Sequence, residues 1–137
     1  KPTPEELTKM EYILKGMQIH QEISEQCKNF WTWFKENTSR NLSKGQKQRL
    51  IVSKILFWLS PDIDIVALDE CTSGLDTEAK DDENADAIKI LQFIIHYCNH
   101  DKKRIIFLAT HQNIDSLCNH RLHFKRKDGK TIIKEIN

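Results

Sequence analysis

The sequence predicts an α/β fold with a largely parallel sheet, and three observations carry that expectation. Two short apolar runs, Ile63 to Leu68 and Arg104 to Ala109, read as buried strands. A helical pattern from Thr77 to roughly Asn99 lies between them, and apolar strands separated by a helix pair in parallel. The first forty residues are helical in pattern and precede both strands. With 137 residues and 39% hydrophobic content, the chain fills one core but not two, so a single domain is expected, changing character near residue 40.

Each element has a local cause. Thr3-Pro4-Glu5-Glu6 combines a capping box with a proline at the first helical position, which starts a helix. Leu7, Met10, Leu14 and Met17 then follow at three- and four-residue spacing, the stripe of an amphipathic helix. Cys27, Phe30, Trp31 and Phe34 continue a helical pattern rich in aromatic rings. Ser43 and Gln46 form a second capping box, opening a helix with Leu50, Ile51, Ile55, Trp58 and Leu59 that ends before Pro61. The helix between the strands carries Ile88, Leu91, Ile95 and Cys98 on one face. Arg121 to Ile136 breaks at Asp128-Gly129 and reads as a β-hairpin.

Charge and cysteine usage narrow the function classes. Lys and Arg total 21 against 20 Asp and Glu, a formal net charge of +1, which argues against a strongly basic nucleic-acid binder. No apolar run approaches the ~20 residues of a membrane span. The sequence starts at Lys1 with no secretory leader pattern, so the expectation is a soluble intracellular piece of something longer, its four cysteines reduced. Cys98-Asn99-His100 and Cys118-Asn119-His120 repeat a C-x-H triplet with four candidate zinc ligands, although this is not a usual finger spacing.

Two places carry chemistry. A helix N-terminus with the Ser43 hydroxyl and Gly45 beside it presents free backbone N–H groups and a positive dipole end, which suits an anion such as phosphate. Alone, this is also what any capped helix offers. The apolar run Ile65 to Leu68 ends in adjacent carboxylates, Asp69 and Glu70, and ligands of parallel sheets gather at the carboxyl ends of strands. Neighbouring residues of an extended chain point in different directions. One acid can therefore hold a hydrated Mg²⁺ while the other orients or deprotonates a water.

The order of these residues resembles the C-terminal half of an ABC transporter ATPase domain. Leu42-Ser43-Lys44-Gly45-Gln46 looks like the signature loop, and Asp69-Glu70 like the end of the Walker B strand with its catalytic glutamate. Ser73-Gly74-Leu75-Asp76 looks like the D-loop and His111 like the switch histidine. The resemblance spans roughly residues 36 to 134. It implies a partial P-loop NTPase of the RecA-like kind. Residues 1–60 would be helical subdomain and signature helix, and residues 61–137 the Walker B, D-loop and switch-histidine part of the α/β core. Lys44 stands where the family usually has glycine, Cys71 where proline or alanine is usual, and the Asp69 to His111 interval is somewhat long.

The resemblance also implies cofactors and roles. ATP and Mg²⁺ would be bound, with Asp69 holding the metal through water and Glu70 and His111 catalytic. Ser43, Lys44, Gly45 and Gln46 would meet an ATP held by a second ABC ATPase domain in a head-to-tail dimer, and Ser73 to Asp76 would couple the halves. No G-x-x-x-x-G-K-[ST] phosphate loop occurs; Gly129-Lys130-Thr131 lies in a late hairpin, not between strand and helix. The expectation is that the chain lacks the N-terminal half of its own domain and is inactive alone.

The implied role is powering an ABC transporter from the cytoplasmic side, peripheral to or fused to transmembrane domains, with no direct nucleic-acid partner. The alternative is a soluble ABC-family ATPase acting on ribosomes or nucleic acid, since translation factors share Gln46-Lys47-Gln48-Arg49. Phe30, Trp31, Trp33 and Phe34 either face transmembrane partners or simply pack the helical subdomain.

Overall fold

The computed structural model describes residues 1–26, 31, 34, 42–72, 86–109, 114–127 and 130–136. Helix α1 (Pro4–Gly16) starts at the expected capping box: the Glu6 N–H donates to Thr3 Oγ1 at 3.1 Å and the Thr3 N–H to Glu6 Oε2 at 2.8 Å. Its buried stripe is Met10, Ile13, Leu14 and the following Met17, whereas Leu7, expected on that stripe, is 41% exposed. The first turn overhangs the core. The N-terminal region is not one continuous helix. The chain turns at Gln18, in the left-handed region at φ 51°, before α2 (His20–Gln26). The Ile19 N–H reaches back to the Leu14 carbonyl at 3.0 Å, closing that turn.

Helix α3 (Lys44–Phe57) begins at Ser43 and ends one turn before Pro61. Its core-facing residues are Gly45, Arg49, Leu50, Val52, Ser53, Leu56 and Phe57. Of the apolar residues expected to define the helix, Ile51, Ile55 and Trp58 are exposed instead, at 57%, 45% and 61%. Lys9 of α1 donates to the Phe57 carbonyl at 2.7 Å and holds its ammonium over the Phe57 ring, satisfying an orphan carbonyl at the negative end of α3. Trp31 and Phe34 pack edge-on against that same ring, with centroids 5.8 and 5.4 Å away. These two aromatics therefore pack the helical region; Cys27, Phe30 and Trp33 lie outside the described residues.

Strands β1 (Ile65–Asp69) and β2 (Ile105–Ala109) pair in parallel, Ile65 opposite Ile105 through Asp69 opposite Ala109. β1 starts two residues later than the apolar run implies, and Asp69 is its last residue. Between the strands runs α4 (Asp86–Cys98); the expected earlier start, over residues 77–85, lies outside the described residues. Its buried face is Ala87, Ile90, Leu91, Ile94 and Cys98, and Ile88 and Ile95 are only half-buried. Asp86, Lys89, Gln92 and His96 form an exposed polar stripe, and the buried face lies opposite it, with Ile88 and Ile95 on its flank. Gly16 of α1 makes the approach to α4 possible: a Cβ there would lie 2.2 Å from the Phe93 ring.

The sheet is less extensive than expected. Among the described residues it is two separate pairs, parallel β1–β2 and an antiparallel hairpin of β3 (Arg121–Lys127) and β4 (Lys130–Ile136). The hairpin falls where the sequence places it, with Asp128 and Gly129 outside the described residues. Val66 and Leu68 of β1 and, less fully, Ile106 and Leu108 of β2 face the core. The opposite face shows Ile65, Ile105 and Phe107, each more than half exposed.

A charged clasp fixes the starting ends of both strands. Arg104 is buried, and its guanidinium pairs with both oxygens of Asp101. It also donates to the Ile63 carbonyl at 2.8 Å, the Ser60 carbonyl at 3.4 Å and the Cys98 carbonyl. Lys102 pairs with Asp64 at 2.6 Å. The Arg104 guanidinium holds the Asp101 carboxyl well below the usual carboxylate range, and Lys102 lowers that of Asp64.

A carboxyl depressed in the folded state contributes stability above its unfolded pKa, and that contribution is lost as pH falls through the folded value. Asp101→Asn should therefore lower the thermal midpoint at pH 7. The gap from wild type should shrink as pH drops below about 4, the ordinary Asp value. A gap that stays constant down to pH 2 would show that the carboxylate is not what holds the clasp.

Candidate functional site

At the carboxyl end of β1 the chain leaves the strand abruptly. Asp69, the last strand residue, is exposed. Glu70 follows in the left-handed region at φ 50°, half-buried, and its N–H donates to the Ala109 carbonyl at 2.9 Å. That backbone costs an ordinary L-residue about 1–2 kcal/mol. It is retained because the Ala109 bond holds one side and the buried Cys71 and Thr72 anchor the other. Ala109 is the register partner of Asp69 and precedes His111 by two residues. His111 itself, like Ser73, Gly74, Leu75 and Asp76, lies outside the described residues.

The N-terminus of α3 is built as a set of donors. The Gln46 N–H donates to Ser43 Oγ at 3.2 Å, and the Ser43 N–H donates to Gln46 Oε1 at 2.9 Å. Each side chain thereby uses an acceptor on the cap. Ser43 keeps its O–H and Gln46 keeps its NH₂ to donate outward. Lys44 and Gly45 occupy the first two helical positions, where N–H groups have no intrahelical acceptor. No acid stands in this first turn, while Lys44 is exposed on it. A cation at the positive end of a helix is unfavourable by roughly 0.3–1 kcal/mol, and an anion reverses the sign.

A groove of about 260 Å³ runs between α3 and β1, lined by Gln48, Ile51, Val52 and Ile55 from the helix and Ala67, Leu68, Asp69 and Cys71 from the strand side. Asp69 thus opens onto it, whereas Ser43 to Gln46 do not line it. The donor turn and the carboxylate pair are separate stations. One exposed carboxylate with a second beside it suits Mg²⁺, which takes one or two carboxylates and completes its shell with water and substrate phosphate. Zinc finds no such set: among the described residues no three His, Cys, Asp or Glu converge. Cys98 is fully buried, its thiol pKa pushed up by burial, and His120 pairs with Glu135 at 2.9 Å.

Three features were not legible from motif order. The left-handed Glu70 has no local sequence signal, since glycine is the usual marker of that backbone. The Arg104 clasp was available only as a turn rich in Asn99, Asp101 and Lys102 ahead of a strand. Arg49 was visible only as one cation in a polar run, although the helical spacing that sets Gly45, Arg49, Ser53 and Leu56 on one face was available to find its burial.

Comparison with known proteins gives two relatives. The chain is 37% identical over 83 residues to the lactococcin-G-processing and transport ATP-binding protein LagD of Lactococcus lactis subsp. lactis, covering 61% of this chain and 10% of that protein. It is 37% identical over 76 residues to the probable peptide export ATP-binding protein YydI of Bacillus subtilis (strain 168), covering 56% of this chain and 32% of that one. The chain therefore spans about a third or less of the curated relatives it matches. No family profile matches it.

The cap gives a direct test of the donor turn. Ser43→Ala should destabilise the chain by about 1 kcal/mol, which is about 4 °C in thermal midpoint at this size. Ser43→Asp keeps an acceptor for the Gln46 N–H and adds a charge the dipole favours, so its midpoint should match or exceed wild type. Equal losses in both variants would show that the cap does not hold α3.

Proposed function

We propose, from the ABC ATPase-like region that this chain carries, that it is the distal part of the ATPase domain of a membrane transporter of the peptide-export kind. The two relatives are named for transport and peptide export, which favours this over action on ribosomes or nucleic acid. The single observation that carries the chemistry is the carboxylate pair at the end of a parallel strand, with Glu70 held in a left-handed turn by the Ala109 carbonyl. That turn separates an exposed Asp69 from a half-buried Glu70, as metal holding and water orientation require.

On this reading Asp69 holds Mg²⁺ through water, and the metal neutralises phosphate charge when bound. Glu70 orients the attacking water and accepts its proton; His111, after β2, contacts the γ-phosphate. These groups serve an ATP bound by the N-terminal half of the same domain. Ser43, Lys44, Gly45 and Gln46 serve an ATP bound by a second ATPase domain in a head-to-tail dimer, and Ser73 to Asp76 lie at the junction. Catalysis of this kind is positioning and charge stabilisation. The N-terminal half would cover the bare sheet face at Ile65, Ile105 and Phe107, which parallel sheets rarely leave open. Among the described residues no helix is long and apolar enough to cross a membrane. On this reading transmembrane partner domains span it, with this part on the cytoplasmic side.

Two experiments test the reading. In the full ATPase domain, Glu70→Gln should retain ATP binding and lower steady-state turnover by at least a hundredfold, about 2.7 kcal/mol in the barrier. Turnover near wild type would remove Glu70 from catalysis. Second, isothermal titration of Mg-ATP into the 137-residue chain should show weak or no binding, because most ground-state affinity in such ATPases comes from the glycine-rich phosphate loop and its lysine. Stoichiometric micromolar binding with hydrolysis would overturn the assignment of a distal half-site.

A further inference from the structure

The end of α4 carries a histidine pair that the ATPase reading does not use. His96 and His100 stand four residues apart, both exposed, with ring centroids 6.4 Å apart and ring planes at 77°. Four residues is the helical spacing that sets two side chains one above the other on a single face. Helix α4 ends at Cys98, yet helix-like bonding continues past it. The Asn99 N–H donates to the Ile95 carbonyl at 3.2 Å, and the His100 N–H to the Tyr97 carbonyl at 3.3 Å.

What distinguishes this pair from any two surface side chains is the backbone that carries it. Between the histidines, Cys98 is fully buried and its carbonyl accepts from the Arg104 guanidinium. The Asn99 side-chain amide donates to the Ile95 carbonyl at 3.1 Å, and its oxygen accepts from the Arg104 N–H at 2.7 Å. The turn is thus tied into the buried clasp while both histidines stay in solvent. Among the described residues, the histidines that pair with carboxylates are His20 and His120, and the rings of His96 and His100 meet each other. Of the cations in the next turn, Lys102 and Arg104 are matched by Asp64 and Asp101, and Lys103 is exposed to screening water.

Two imidazoles so placed form a chelate. A metal about 2.1 Å from one nitrogen of each ring sets the ring centres roughly 4.5–6.5 Å apart. Small rotations of exposed rings therefore close the geometry, and the negative end of α4 favours the cation. We propose that His96 and His100 form a surface site for a divalent transition-metal ion of the zinc and nickel kind, with water in the remaining positions. Imidazole suits these ions, whereas Mg²⁺ demands oxygen. Two ligands make this an open site, not a structural zinc centre, and the buried Cys98 thiol takes no part. Tyr97, Cys98 and Asn99 lie between the histidines, so the glutamate base that hydrolytic zinc helices carry at this spacing is missing. The inference does not rest on the ATPase reading: this turn adjoins the starting ends of the strands, and Asp69 and Glu70 follow the finishing end of β1.

Isothermal titration of zinc chloride and nickel chloride into the chain, in a buffer without chelating groups, tests the site. One ion should bind per chain, undisturbed by millimolar Mg²⁺. His96→Gln and His100→Gln should each weaken binding by about tenfold or more, since the second imidazole binds at the effective concentration set by the first. His120→Gln and Cys118→Ser should bind as wild type does. Both substituted histidines are exposed, so without metal the glutamine variants should unfold at the wild-type midpoint. Saturating nickel should raise that midpoint in wild type and in neither variant. In the unaltered chain, zinc should shift the imidazole NMR resonances of His96 and His100 together and leave those of His120 in place. The proposal falls if either glutamine variant weakens binding less than tenfold, or if affinity follows Cys118 or His120. It falls equally if Mg²⁺ displaces the bound ion, or if zinc shifts other imidazoles instead.

Discussion

Pairing of β1 with β2 is the constraint on which the placement of the Asp69 and Glu70 carboxylates depends. It sets Asp69 beside Ala109, takes the Glu70 amide onto the Ala109 carbonyl, and fixes where the chain enters the segment leading to His111. Two strands of five residues are marginal by themselves. What holds them is asymmetric. At their starting ends Arg104 gathers the carbonyls of Ser60, Ile63 and Cys98 around one guanidinium, joining the approach to β1, the end of α4 and the start of β2. At their finishing ends the Glu70 N–H bonds the Ala109 carbonyl, and there the backbone is bent into the left-handed region. On the proposed reading the clasp stands at one end of the strands and the chemistry at the other.

The second constraint is coverage. Helices α3 and α4 bury Val66 and Leu68 on one face, but Ile65, Ile105 and Phe107 remain open on the other, and Ile51 and Ile55 flank β1. Full burial of an aliphatic or phenyl side chain is worth roughly 1.5–3 kcal/mol. Three such side chains approach the whole stability of an ordinary domain, about 5–15 kcal/mol. Covering this face would therefore add a contribution comparable to that net stability, though small beside the gross burial of the described core. On the proposed reading, this open surface is the one that the N-terminal half of the ATPase domain would cover.

Much of this was legible in the sequence where one local rule acts alone. Both capping boxes, the hairpin of β3 and β4 and the two parallel strands follow from turn chemistry and short-range pattern. Legibility failed where tertiary packing decides between equivalent local choices. The polar stripe Asp86, Lys89, Gln92 and His96 of α4 marks Ile90 and Ile94 as the buried side, but no local pattern announces how closely α1 approaches, which Gly16 sets against the Phe93 ring. In α3 the expected apolar residues Ile51, Ile55 and Trp58 are exposed, because helices are assigned faces by what is present to cover them. Of the site, the sequence supplied the carboxylate pair and the capped turn, but not the backbone strain at Glu70 or the burial of Arg49.

The two stations have opposite hydrogen-bonding character, and that explains why neither suffices alone. The α3 turn turns mainly donors outward once its cap is formed, which suits a phosphate. The end of β1 carries two carboxylates, which repel phosphate unless a divalent cation lies between them. On the proposed reading, the first station would take phosphate oxygens directly and the second would take them through a metal. Asp69 opens onto the groove beside α3 while Ser43 to Gln46 do not line it; on the proposed reading, the ATP that meets Ser43 to Gln46 is brought by a second ATPase domain. On the proposed reading, the capped serine, the cation at a helix N-terminus and the strained glutamate are thus parts of one requirement: each half of the chemistry waits for a phosphate that another polypeptide surface brings.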